Sequence, residues 1–146
     1  MNIGEVMTRN PKYVSPSDSI QNAARIMRDE DTGAVPVVDN GRPIGMLTDR
    51  DIVVKALAKG KDPATTRAGE LGEGKPVTIG ADDSVQEALK TMAQYKVRRL
   101  PVIDGHDLVG IISVADIARE LEDDSSKGDL IEAISEGPPQ QGVPSQ

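Results

Sequence analysis

Two stretches of the chain space their polar groups in the same way. Gly45, Thr48 and Asp51 form a Gly-x-x-Thr-x-x-Asp string, and Gly110, Ser113 and Asp116 form a Gly-x-x-Ser-x-x-Asp string. A hydroxyl three residues ahead of a carboxylate is a helix capping box with its acid shortened to Asp. Each such cap contributes about 1 kcal/mol. The same two groups can also hold a polar ligand, because the hydroxyl both donates and accepts and the carboxylate accepts twice over. Cations flank both strings. Arg50 lies inside the first, and Arg98-Arg99 precede the second. A guanidinium fork suits phosphate oxygens. The matching places, Ala115 and Gly33-Ala34, carry no charge. Arg50 can equally pair with Asp49 at the surface. The arginine pair therefore favours the second string as a ligand site.

Most other chemistry is excluded by residue type. There is no cysteine, which removes disulfides, thiolate metal sites and thiol nucleophiles. The single histidine, His106, sits in a Gly-Asp turn, where a solvent-exposed ring is expected. No Gly-rich Lys loop, metal-ligand cluster or nucleophile–base pair is present, so no catalytic residue and no metal ligand is assigned and a non-enzymatic protein is expected. There is no Trp or Phe, so the core must be aliphatic. Tyr13 and Tyr95 are expected in the core or at an interface, and Met27 and Met92 in packing. The net charge is −7, of which residues 120–146 carry −6. The body is thus nearly neutral and lacks the basic surface that long nucleic acid requires. No run reaches the ~18 apolar residues of a membrane span, and the N-terminus has no apolar signal core. A cytoplasmic location without membrane contact is the expectation.

Stepping the sequence along itself by 65 residues shows what must position these groups. Residues 3–56 align with 68–121 without a gap, with 14 identities in 54 positions. Two copies are too few for a solenoid, which needs about three. A duplicated unit packed with pseudo-twofold symmetry is expected. Each copy reads β-α-β-β-α, an α/β (α+β) arrangement. A short extended piece (12–14; 77–79) leads to a helix. Asp18 and Asp83 are read as its N-caps, with Gln21 and Gln86 three residues on. Two β-branched runs follow (35–38 and 44–47; 100–103 and 108–112). Asp39-Asn40-Gly41 and Asp104-Gly105 between them signal hairpins. A second helix starts near Asp49 and near Val114. The copies span 3–58 and 68–122, with 59–67 as a linker. Residues 123–146 form an acidic tail, with a short amphipathic helix around Leu130, Ile131 and Ile134 and a Pro- and Gln-rich end at 137–146 expected to be disordered.

The duplication, the element order, the Pro-Val strand (Pro36-Val37; Pro101-Val102) and the two Gly-x-x-[Thr/Ser]-x-x-Asp strings in register together resemble a tandem pair of CBS domains, a Bateman module. The stretches GMLTDRDIVVKALAKGKDP and VRRLPVIDGHDLVGIISVADIA are similar to small stand-alone CBS-pair proteins of the actinobacterial hypoxic-response type. The resemblance covers about residues 3–122. It implies a stress-response sensor that binds an adenine nucleotide such as AMP, ADP or ATP in the cleft between the repeats. No cofactor is required. The roles implied are phosphate contact by Thr48 and Ser113, ribose contact by Asp51 and Asp116, and phosphate contact by Arg50, Arg98 and Arg99. A strand-to-helix junction and an acceptor-only carboxylate suit those tasks physically. A structural or partner-binding pair with no ligand is the alternative. The family likeness also implies a homodimer; a protein partner is unknown.

Overall fold

The computed structural model describes residues 1–72 and 76–120. The acidic tail from 123 onward lies outside them, with its expected helix and disordered end. The chain forms two compact units, and they do not coincide with the repeat. Among the described residues, one comprises 1–11 with 77–120 and the other 12–72 with 76. The lead-in of each copy therefore belongs to the body of the other.

In the unit built on the first copy, α2 (Ile20–Glu30) is followed by the hairpin strands β2 (Ala34–Asp39) and β3 (Arg42–Thr48). Val14 adds a parallel bridge to Val37. After β3 comes α3 (Asp49–Asp51), then a π-helical segment Ile52–Ala56 and a 3-10 turn Leu57–Lys59. The helix α4 (Ala68–Leu71) completes the unit. Its core is aliphatic, with Val14, Ile20, Val35, Val37, Leu47 and Leu71 buried.

The other unit repeats this plan. The lead-in elements α1 (Ile3–Val6) and β1 (Thr8–Arg9) join β4 (Ile79–Gly80), α5 (Val85–Tyr95), β5 (Arg99–Asp104), β6 (Asp107–Ser113) and α6 (Val114–Glu120). The sheet order is β1-β6-β5-β4, with β4 parallel to β5 and the other pairs antiparallel. Ile3, Val85, Leu89, Leu100, Ile112 and Ile117 fill the core. Mixed strands and helices in each unit make an α+β fold. Met27 and Met92 are buried as expected, whereas Tyr13 and Tyr95 are 55% and 51% exposed and lie outside both cores.

The first helix of each copy is capped one residue later than expected. Ser19 and Ser84 are the N-caps, accepting from the N–H groups of Asn22 and Glu87 at 3.1 Å each. Asp18 and Asp83 instead accept from the N–H groups of Ser15 and Gly80, closing the turn before the helix. The stretch read as a linker supplies further partners. The free N–H groups of Ile20 and Gln21 donate to the carbonyls of Thr66 and Pro63. In the other unit the Val85 N–H meets the Met1 carbonyl. The lead-in then runs on along the preceding turn, with Ala68 N–H on Asp18 O and Ile3 N–H on Asp83 O. First-turn N–H groups of a helix have no partner within it, so each α-helix start draws the other copy's lead-in onto itself.

Glycine of the Gly-x-x-[Thr/Ser]-x-x-Asp string is explained by the same docking. A Cβ on Gly45 would clash with the carbonyl oxygen of Gly72. One on Gly110 would strike the Met7 side chain and stand 2.8 Å from the Thr8 carbonyl. Alanine in a strand ordinarily stabilises by about 0.5–1 kcal/mol over glycine. Here the sign reverses: Gly45→Ala should destabilise by roughly 1–3 kcal/mol through overpacking. Thermal unfolding of the full chain checks this, and an unchanged or raised midpoint would remove the close approach as the reason for the glycine.

Candidate functional site

Each string folds into the same device. Antiparallel pairing places Ala34 opposite Thr48 and Arg99 opposite Ser113. The chain then leaves the strand and turns into a helix. The first helical N–H is taken by a backbone carbonyl of the neighbouring strand's lead, Asp49 by Gly33 and Val114 by Arg98, at 2.9 Å in both. Thr48 Oγ1 accepts from Asp51 N–H and Asp51 Oδ2 accepts from Thr48 N–H, both at 3.0 Å. Ser113 Oγ accepts from Asp116 N–H at 3.0 Å and Asp116 Oδ2 from Ser113 N–H at 3.1 Å. Both strings are therefore complete reciprocal capping boxes.

The cap uses one oxygen of each carboxylate, and the other meets a cation. Asp51 Oδ1 lies 3.1 Å from Lys55 Nζ. Asp116 Oδ1 meets the Arg119 guanidinium, and Thr8 Oγ1 donates to both Asp116 oxygens at 3.3 and 3.4 Å. The two aspartates differ in access, with side chains 20% and 6% exposed respectively.

Thr48 and Asp51 are thus brought together, with Arg50 on the exposed side of the same turn and its backbone N–H on Asp49 Oδ1. Ser113 and Asp116 are brought together with half-buried Arg98 and Arg99 at the start of the adjacent strand. His106 is exposed in the β5–β6 turn. Thr8, Lys55 and Arg119 were not anticipated. Lys55 and Arg119 had a signal in the sequence, since they stand four and three residues beyond an aspartate, where helical side chains meet. Thr8 had none, being 108 residues from its partner.

The CBS domain model matches residues 3–57 and 68–123. The chain belongs to the CBS-domain family. Hypoxic response protein 1 of Mycobacterium tuberculosis is 47% identical over 118 residues, spanning 80% of this chain and 82% of that protein. The crystal structure of Hypoxic Response Protein I with two coordinated zinc ions superposes with a TM-score of 0.78 at 45% identity, over 83% of this chain and 99% of that one. The CBS domain pair of protein MJ0100, in complex with 5′-methylthioadenosine and S-adenosyl-L-methionine, gives a TM-score of 0.71 at 28% identity, over 84% and 97% of the two chains. A tandem CBS pair of the hypoxic-response type is thereby established, and its similar proteins include stand-alone pairs. Zinc favours Cys and His donors. This chain has no Cys and one His, and the described residues contain no group of three or more His, Asp or Glu side chains placed to share an ion. They do not fit the donor set of a zinc site. Among the described residues no helix is long and apolar enough to cross a membrane.

Removing a cap hydroxyl tests what the boxes contribute to folding. Thr48→Ala and Ser113→Ala should each cost about 1 kcal/mol, a fall of roughly 2–4 °C in midpoint for a chain of this size. Thr48→Ser should be near neutral, because Ser113 already performs the same task. Differential scanning calorimetry measures all three, and a neutral Thr48→Ala would show that the hydroxyl is not there for the fold.

Proposed function

We propose that this CBS pair is a non-enzymatic regulatory module that binds an adenine nucleotide, of the AMP, ADP or ATP class, through its Thr/Ser-x-x-Asp strings. The observation that carries the reading is the pairing of a backbone-fixed carboxylate, Asp51, with an exposed cation, Lys55, on its outer oxygen. A fixed carboxylate is preorganised to accept ribose hydroxyls, and the cation beside it is a place for phosphate. Arg50 beside Thr48 adds a guanidinium fork for the phosphates. The adenosine-derived ligands of the MJ0100 pair are in keeping with this reading. A ligand that prefers one conformation shifts the population toward it, which is how such a module would act without catalysis. The complete capping boxes favour a second reading, a structural or partner-binding pair without a physiological ligand.

Isothermal titration calorimetry and thermal shift with AMP, ADP, ATP and adenosine separate the two. Binding should raise the midpoint, by an amount equivalent to about 2.7 kcal/mol at a hundredfold excess over Kd. Arg50→Ala should weaken ATP more than adenosine, by roughly tenfold for a lost charged hydrogen bond. Neither heat nor shift at millimolar nucleotide would leave the strings as caps.

The nucleotide reading is joined to a homodimer. Val53, Val54 and Leu57, at the end of the first copy, are 55%, 44% and 53% exposed, an apolar run suited to an isologous contact. Sedimentation should give a dimer at tens of micromolar, roughly where a standard-size interface holds. A monomer at that concentration would exclude it.

A further inference from the structure

The two aspartates share a position in the repeat but not a set of partners. Asp116 is the more fully engaged. Its oxygens take the Ser113 N–H, the single Thr8 hydroxyl proton shared between them and the Arg119 guanidinium. With these partners on about four acceptor positions and a side chain only 6% exposed, it offers little to a ribose. Among the described residues, Asp51 takes the Thr48 N–H and Lys55, whose side chain is 50% exposed. A surface pair of that kind is readily exchanged for another partner. The difference is written in the sequence. The repeat aligns Thr8 with Glu73 and Arg119 with Val54, and neither can donate a hydrogen bond from its side chain to a carboxylate.

Thr8 is not a loose neighbour. It belongs to β1, pairs with Ile111 of β6, and follows Met7, which lies against Gly110. Arg9 Nη2 turns back to the Gly4 carbonyl at 3.1 Å. The Asp116 carboxylate is thus the polar end of the attachment that fixes residues 2–9 to their unit. We propose that Asp116 is a latch on the N-terminal segment, and that Thr8 and Arg119 close the second string to ligand and leave Thr48-x-x-Asp51 as the one open to ribose. Only the second clause rests on the nucleotide reading.

Amide hydrogen exchange on the full-length protein tests the latch. In Asp116→Asn and in Thr8→Val, the N–H groups of Ile3, Gly4 and Met7 should exchange at least tenfold faster. Those of Ile20, Ala68 and Gly69, in the other unit, serve as internal controls. Thr8→Val keeps the side-chain shape and replaces a surface group, so it remains informative if Asp116→Asn fails to fold. Unchanged protection of residues 3–7 in Thr8→Val overturns the latch. Calorimetry with AMP tests the closure. Wild type should take one equivalent per chain, and Asp51→Asn should lower its affinity at least tenfold. Two equivalents in wild type, or one that is insensitive to Asp51→Asn, overturns the closure. Absence of heat with AMP, ADP and ATP alike refutes the nucleotide reading, and the exchange result then decides the latch by itself.

Discussion

A peptide carbonyl standing where any side chain on Gly45 would be is the contact that organises this chain. It brings the Gly72 backbone over β3, just as Met7 and Thr8 pass over Gly110 on β6. Each crossing requires that a segment leave its own copy and dock on the other. The docking in turn supplies the backbone groups that the starts of α2 and α5 lack, through Thr66 and Pro63 in one and Met1 in the other. It also buries Leu71 and Ile3 in the two cores. Three residues beyond each glycine the strand ends in a hydroxyl and turns into a helix. The glycine of the string therefore serves the fold, and the hydroxyl–carboxylate pair stands on a strand whose position that glycine has set.

This division explains which parts of the molecule could be seen in advance. The duplication is visible as self-similarity of the sequence, and the hairpins at Asp39-Asn40-Gly41 and Asp104-Gly105 and the Thr48/Asp51 and Ser113/Asp116 boxes are local patterns that depend on residues at most a few positions apart. The helix caps were displaced by one residue because Asp-Ser at 18–19 and 83–84 offers two capping types in succession. The choice between them depends on turn N–H groups at Ser15 and Gly80, which no residue type announces. The stretch 59–67 reads as a linker because its Gly and Pro content signals irregular chain. Its work is done by main-chain carbonyls at Pro63 and Thr66, and these are invisible to composition. The π-helical segment after Asp51 is likewise without a sequence mark, although the equivalent stretch after Asp116 is α-helical. Thr8 on Asp116 is a contact between distant parts of the chain, and only the folded unit reveals it.

The pairs of positions related by the repeat separate scaffold from chemistry. Gly33 and Arg98 occupy one place in the repeat and have opposite side-chain character, yet their carbonyls accept the same helix-starting N–H at the same distance. A main-chain interaction of this kind leaves the side chain unconstrained by the turn it supports. Charge can therefore be added at Arg98-Arg99 and omitted at Gly33-Ala34 without altering the strand-to-helix junction. Lys55 and Glu120, or Val54 and Arg119, differ for the same reason, since they lie on outward faces of the closing helices. The caps impose an identical frame on Thr48/Asp51 and Ser113/Asp116, and the surrounding side chains give the two frames different surfaces. A duplicated fold whose strand-to-helix junctions are held by backbone partners can hence carry two unlike sites, and the exposure of the carboxylates at Asp51 and Asp116 is one place where they differ.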